Sequence, residues 1–253
     1  MRGIEILSEA FSKYFLFPSS CYSVGSPLRV FQELYPQNYY SVQADQFLFS
    51  HQYPPMQRGS DMPWWGSKFF SDEKGYRVFI ISQDSLASDG GSIVFWANLF
   101  NNVKSKTEYE KYTSILNIKN LFRYSSWIKV YNQLLEWGIP LDFCYITDAA
   151  KVYKSGSWKD RDFDRVKSRE LLFEEISICQ PALVITLGSS PINLINKEWN
   201  YGELVEQSKT ILLNGVECCI VPFFIGNGPS QQNFKKRFEI ASQLIKSKVN
   251  SGS

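Results

Sequence analysis

Four short segments carry the side chains in this sequence best suited to chemistry, and each follows an apolar run. Ser82-Gln83-Asp84-Ser85-Leu86 offers a carboxylate, Asp84, among small residues. Thr147-Asp148-Ala149-Ala150-Lys151 offers a second acid, Asp148, followed by a cation. Gly188-Ser189-Ser190-Pro191 offers a glycine for close packing of strand and helix, and two hydroxyls for a phosphate. Ile225-Gly226-Asn227-Gly228-Pro229-Ser230 offers an amide, Asn227, between glycines that let the backbone approach a ligand closely. Two acids and an amide suit hydrolysis without a metal. Taken singly, each segment also fits a plain polar loop, with Asp84 capping a helix or turn. None is a phosphate-cradling Walker loop or a dinucleotide-binding G-x-G-x-x-G after the first strand.

Loops of this kind need a scaffold that brings them together. The apolar runs before them span residues 77–81 (RVFII), 143–147 (FCYIT), 182–187 (ALVITL) and 218–224 (CCIVPFF). They are β-branched or aromatic and nearly continuous, as strands buried on both faces are. Helical patterns separate them at residues 120–137, 165–180 and 234–249, the second ending at Pro181. Asn214-Gly215 predicts a tight turn feeding the last strand as a hairpin. Strands alternating with helices predict a parallel sheet covered on both sides. The expected fold is therefore α/β: a three-layer α/β/α sandwich around a central four-stranded, mainly parallel sheet. One domain is expected over residues 1–253, with a core at 75–249 and an N-terminal extension at 1–74 to which no role is assigned. Ligands of such sheets sit beyond the carboxyl ends of the strands, where the four loops lie.

Composition narrows the chemistry further. The 253 residues carry 27 basic and 25 acidic side chains, a net charge of +2, which excludes a strongly basic nucleic-acid coat but not a local basic groove. His51 is the one histidine, so a His-rich metal centre and paired-histidine catalysis are excluded. A hydrophobic fraction of 44% is enough for a sizeable core. The first residues, MRGIEILSEAFSKYFLF, are broken by Glu5, Glu9 and Lys13 and read as an amphipathic helix rather than a signal peptide. No apolar run is long enough to span a bilayer. Five cysteines without a C-x-x-C pair argue against a disulfide framework, zinc or an iron–sulfur cluster. The expectation is a cytoplasmic monomer with reduced cysteines in its core, no cofactor and no membrane partner.

In their order and spacing the four segments resemble the uracil-DNA glycosylase superfamily. That superfamily has Gly-Gln-Asp-Pro-Tyr or Gly-Glu-x-Pro-Gly after its first core strand; here Ser82-Gln83-Asp84-Ser85-Leu86 stands, without the Gly and Pro. Phe95 and Trp96 fall where the family stacks an aromatic on the base. The family's Ile-Thr-Asn-x-x-Lys is matched by Ile146-Thr147-Asp148-Ala149-Ala150-Lys151, and its Pro-x-Val-Ile-x-Leu-Gly by the stretch ending at Gly188. Its closing His-Pro-Ser-Pro or Asn-Pro-Ser-Gly is matched by Asn227-Gly228-Pro229-Ser230. The resemblance covers residues 76–249.

The resemblance implies excision of a base from DNA by hydrolysis of the N-glycosidic bond. Asp84 falls on the family's catalytic acid, which stabilises positive charge on the sugar and orients water. His51 lies outside the matched region, so Asn227 or backbone N–H groups of its loop would stabilise the departing base. Gln83, Leu86, Phe95, Trp96 and Asp148 would form the base pocket. Asp148 replaces the family's asparagine, which offers uracil an N–H for O4 and an acceptor for N3–H. A carboxyl group accepts from cytosine N4, and a protonated one also donates to N3. Burial favours that protonated form, and protonating N3 improves a poor leaving group. Alternatively, Asp148 turns away to a lysine such as Lys151. Leu86 replaces a tyrosine that closes the pocket at C5, so a 5-substituent would fit. Excising ordinary cytosine would destroy the host genome, whereas a modified cytosine of the kind some phages carry is a safe target. The expected function is excision of a 5-modified cytosine, in antiviral defence. A uracil or mismatch repair glycosylase and a non-catalytic DNA-binding protein of the same fold stand as alternatives.

A glycosylase flips its base and fills the gap. Ser230, Gln231 and Gln232 stand where the family's wedge lies, with Phe234 as the alternative first core residue of the last helix. Lys151, Lys235 and Lys236, with Ser189 and Ser190, are the expected phosphate contacts. The segment HQYPPMQRGSDMPWW at residues 51–65 reads as an N-terminal strap packing Trp64 and Trp65 on the core, or as a base-contacting loop.

Overall fold

The computed structural model describes residues 2–14, 46–47, 63–83, 105–115, 124–152, 164–224 and 231–252. The four continuous apolar runs form the centre of one sheet. Its strands are β1 (Trp64–Trp65), β2 (Val78–Ser82), β3 (Cys144–Asp148), β4 (Leu183–Leu187), β5 (Ile211–Leu213) and β6 (Val216–Val221). The order across the sheet is β1-β3-β2-β4-β6-β5. The four inner strands are parallel and the two edge strands antiparallel.

The expectation of a four-stranded sheet is thus corrected to six. Neither addition is long enough to show a period of its own. β1 is two tryptophans pairing with Ile146 and Tyr145. The ladder runs on through Gly66, whose N–H donates to the Cys144 carbonyl at 2.9 Å. A Cβ on Gly66 would lie 2.1 Å from the Leu141 carbonyl oxygen, so only glycine admits this approach. β5 is the first arm of the expected hairpin. Its turn has Asn214 at φ 51° and Gly215 at φ 81°, the two successive positive values that match the twist of paired strands. Asn214 Nδ2 donates to the Phe173 carbonyl at 2.8 Å and to Ser177 Oγ at 2.7 Å, holding the hairpin down. Nothing lies within 4 Å of a Cβ added at Gly215. The variant Gly215→Ala should therefore lose only the left-handed backbone cost, about 1–2 kcal/mol, read as a lower urea midpoint at unchanged slope.

The described α-helices are α1 (Arg2–Lys13), α2 (Lys106–Ile115), α3 (Tyr124–Glu136), α4 (Arg165–Cys179), α5 (Ser189–Ile195), α6 (Tyr201–Glu206) and α7 (Gln231–Gly252). Alternation along paired strands sends Phe79, Ile81, Tyr145, Thr147, Val184 and Thr186 to one face. α4 covers that face, and α1 packs on α4. Asp164 caps α4 by accepting from the Lys167 N–H, and Gln180 at φ 42° ends it before Pro181. Val166 of this helix is exposed, as is Leu135 of α3. α7 packs on the other face against β6, and Trp137 Nε1 just beyond α3 donates to Ser242 Oγ of α7 at 3.1 Å.

The described N-terminal residues belong to this core. Ile4, Leu7, Ala10 and Phe11 of α1 are buried, and Ser8 Oγ donates to the Phe47 carbonyl at 2.6 Å. Trp64 and Trp65 are buried too, as the strap reading expects. Tyr145 is the hub: Phe79 stacks on it at 4.7 Å between ring centroids, and Trp65, Phe69 and Phe70 surround it. Cys144, Cys179, Cys218 and Cys219 are buried free thiols, and burial pushes the Cys219 thiol up to about 12. No described helix is long and apolar enough to cross a membrane.

Candidate functional site

The strand order selects one point on the sheet. The chain leaves β2 towards β3 on one side, and leaves β4 towards β6 on the other. Adjacent parallel strands whose connections diverge in this way open a crevice at their carboxyl ends. The crevice lies between the ends of β2 and β4, where Gln83 and Gly188-Ser189-Ser190 stand.

Backbone and side-chain bonds tie the strand ends around it. Ser82 is in register with Asp148 across β2 and β3. Beyond the last pair the chain continues to follow β2: Ala149 N–H donates to the Ser82 carbonyl and Ala150 N–H to the Gln83 carbonyl, both at 3.0 Å. Ser190 Oγ donates to Gln83 Oε1 at 2.8 Å, joining the first segment to the third. That bond uses the carbonyl side of the Gln83 amide and leaves its NH₂ group as a donor. Gly188 N–H donates to the Val221 carbonyl at 2.7 Å, joining the end of β4 to the end of β6. Gly188 has φ 84°, and an added Cβ would sit 3.2 Å from Phe223 Cβ, so glycine is required here for backbone conformation and packing together.

Asp148 ends β3 on the face opposite Thr147 and is 4% exposed. A carboxylic acid at a strand end with so little water around it is unusual, because burying a charge is costly unless it is paired or neutralised. Gln83 and Ser189 are exposed and Ser190 half-buried at the same strand ends. Lys235 and Lys236 are exposed on the first turns of α7, which Gln231 and Gln232 open. Phe234 is half-buried and stacks on Phe238 at 5.7 Å. Asp84, Leu86, Phe95, Trp96, Asn227, Ser230 and His51 lie outside the described residues.

Lys151 is a correction. Expected as a phosphate contact, it is fully buried and forms an ion pair with Glu175 of α4, also fully buried. Its ammonium further donates to Thr147 Oγ1 and lies 5.7 Å from the centroid of the Phe11 ring. Tyr145 Oη and Thr147 Oγ1 donate to Glu175 Oε1 at 2.8 and 2.9 Å. Burial pushes the Glu175 carboxyl upward, against the pull of the Lys151 ammonium and the two hydroxyls. Lys151 thus serves the interior beneath the strand ends and cannot reach a DNA backbone. The alternative in which Asp148 turns to Lys151 loses its motive, since Thr147 and Glu175 take up this ammonium on the other face.

Neither a protein-family model nor a curated protein matches the chain. What the site can do therefore rests on its own residues.

Glu175 was not singled out from the sequence, although a signal existed. It stands four residues after Leu171 and four before Cys179, on the stripe that α4 buries. A carboxylate at such a position requires a buried partner. No group of three or more potential metal ligands occurs among the described residues.

Proposed function

We propose that the chain is a metal-free DNA glycosylase that flips a cytosine-like, 5-modified base and hydrolyses its N-glycosidic bond, leaving an abasic site. The observation that carries this reading is Asp148, a nearly buried carboxyl group at the end of β3 in register with Ser82, one strand from the divergence of β2 and β4. A protonated carboxyl there matches the edge of cytosine, donating to N3 and accepting from the N4 amino group. Gln83, its amide oriented by Ser190, supplies a further donor to the base. Asp84, the next residue along, serves as the acid that stabilises the sugar cation, and Asn227 or its loop amides as the donors to the leaving base. Leu86 leaves room at C5, and Phe95 or Trp96 stacks on the ring. Lys235 and Lys236 contact phosphate, with Ser189, Ser230, Gln231 and Gln232 at the flipped nucleotide. The enzyme acts as a cytoplasmic monomer, and a role in defence against phages with modified cytosine follows from the substrate. A three-layer arrangement like that of uracil-DNA glycosylases belongs to the same reading and is supported by helices on both sheet faces.

The test is an abasic-site assay. The protein is incubated with duplexes bearing cytosine, 5-hydroxymethylcytosine, a glucosylated hydroxymethylcytosine or uracil, and the products are treated with alkali. Strand cleavage confined to a modified-cytosine duplex is the expected result. Cleavage at uracil alone would favour a repair glycosylase, and retention of DNA without cleavage a binding protein.

A further inference from the structure

We propose that Lys151, clamped by Glu175, positions the strand-end segment 148–152 and so holds Asp148 in place for the base. The inference deepens the glycosylase reading and rests on it for its effect on catalysis.

Residues 148–152 leave the sheet and turn back on it within a few residues. On one side they are tied to β2 through the amides of Ala149 and Ala150. On the other, the Lys151 side chain returns to the face covered by α4 and ends against Thr147, Glu175 and the ring of Phe11. Val152 is buried beyond it. The segment is therefore held in the plane of the sheet by β2 and on one face by the Lys151 side chain, and Asp148 lies at its start.

Stability alone does not account for this arrangement. A buried ion pair is a poor stabiliser compared with apolar side chains of the same volume, because both charges lose their water. What the pair supplies is geometry. A lysine with three donors, held by an acid and a hydroxyl that are themselves bonded to each other, has one place to go. An apolar side chain at 151 would fill the same volume without fixing the turn.

The test replaces both charges at once, so that neither is left alone. The variant Lys151→Met with Glu175→Leu is compared with the wild-type protein in two measurements. One is hydrogen exchange at the Ala149 and Ala150 amides. The other is single-turnover excision on the duplex the wild-type protein cuts, with DNA affinity measured separately. The expected result is loss of protection at both amides and an excision rate lower by about 100-fold, as displacement of a reacting group by about 1 Å produces, at unchanged DNA affinity. Unchanged protection and unchanged rate in a folded double variant overturn the proposal. Should the double variant not fold, Thr147→Val removes the hydroxyl between the two charges at constant shape. Loss of protection at the two amides then supports the proposal, and full protection overturns it. If the wild-type protein cuts no duplex, the glycosylase reading fails, while the exchange measurement still decides whether Lys151 holds the segment.

Discussion

Replacing Asp148 with asparagine is expected to abolish excision of a cytosine-like base while the protein remains folded. The two side chains have nearly the same shape, so packing at the end of β3 is preserved and the far-ultraviolet circular dichroism should not change. The chemistry differs at two points. A protonated carboxyl matches the N3 acceptor and the N4 donor of cytosine together, and a well-placed pair of bonds of this kind discriminates by about 1–3 kcal/mol. It can also deliver a proton to the ring as the bond to the sugar breaks, a contribution of about 10²–10⁴-fold in rate. An amide cannot protonate the base. The value of kcat/KM on the modified-cytosine duplex should therefore fall by about 10²–10⁴-fold. The asparagine variant also presents what uracil requires, an N–H for O4 and an oxygen for N3–H, so any residual activity should move towards uracil. Full activity of Asp148→Asn on the same base would show that this carboxyl does not read the base.

The largest effect on stability should come from Glu175→Leu made alone. The substitution leaves the Lys151 ammonium in an interior where it is now fully buried, facing Thr147 and the Phe11 ring without its acid. Removing one member of a buried ion pair costs about 3–5 kcal/mol, because the surviving charge keeps its desolvation and loses its partner. The phenol of Tyr145 and the hydroxyl of Thr147 also lose their acceptor. For a chain of this size the loss corresponds to a fall in Tm of roughly 6–20 °C. Adding Lys151→Met should recover most of it, since exchanging both charges for apolar groups is often neutral or stabilising by about 1–4 kcal/mol. Thermal denaturation of the single and double variants decides the matter. A single variant no less stable than the double one would mean that the two charges are not coupled in the folded protein.

The parts of the fold legible in the sequence were those with a local cause. Residues 78–82, 144–148, 183–187 and 216–221 are strands because nearly every side chain in them is apolar, which suits strands buried on both faces. The hairpin was legible because Asn214-Gly215 is one of few dipeptides that accept two positive φ angles. β1 was not, because two adjacent tryptophans have no period, and what makes them a strand is the edge of β3, some eighty residues later in the sequence. The site divided in the same way. Gln83, Asp148, Ser189 and Ser190 could be singled out because each follows an apolar run, and the fold brings those run ends together. Lys151 could not be read correctly, because a cation just after a strand looks the same on paper whether it faces a phosphate or the interior. Its orientation is decided by Glu175, which is near it only after α4 has packed.

The docking of α1 sets a timetable for the newly made chain. Lys13 and Tyr14 bond to Glu174 across separations of 161 and 160 residues. At about 5–20 residues per second, a ribosome needs roughly 8–32 s to make that stretch. Until then the apolar side of α1, with Ile4, Leu7 and Phe11, has no α4 to cover it. α1 thus waits for α4 to be made before it reaches this native neighbour, and until then the newly made chain exposes an adhesive surface.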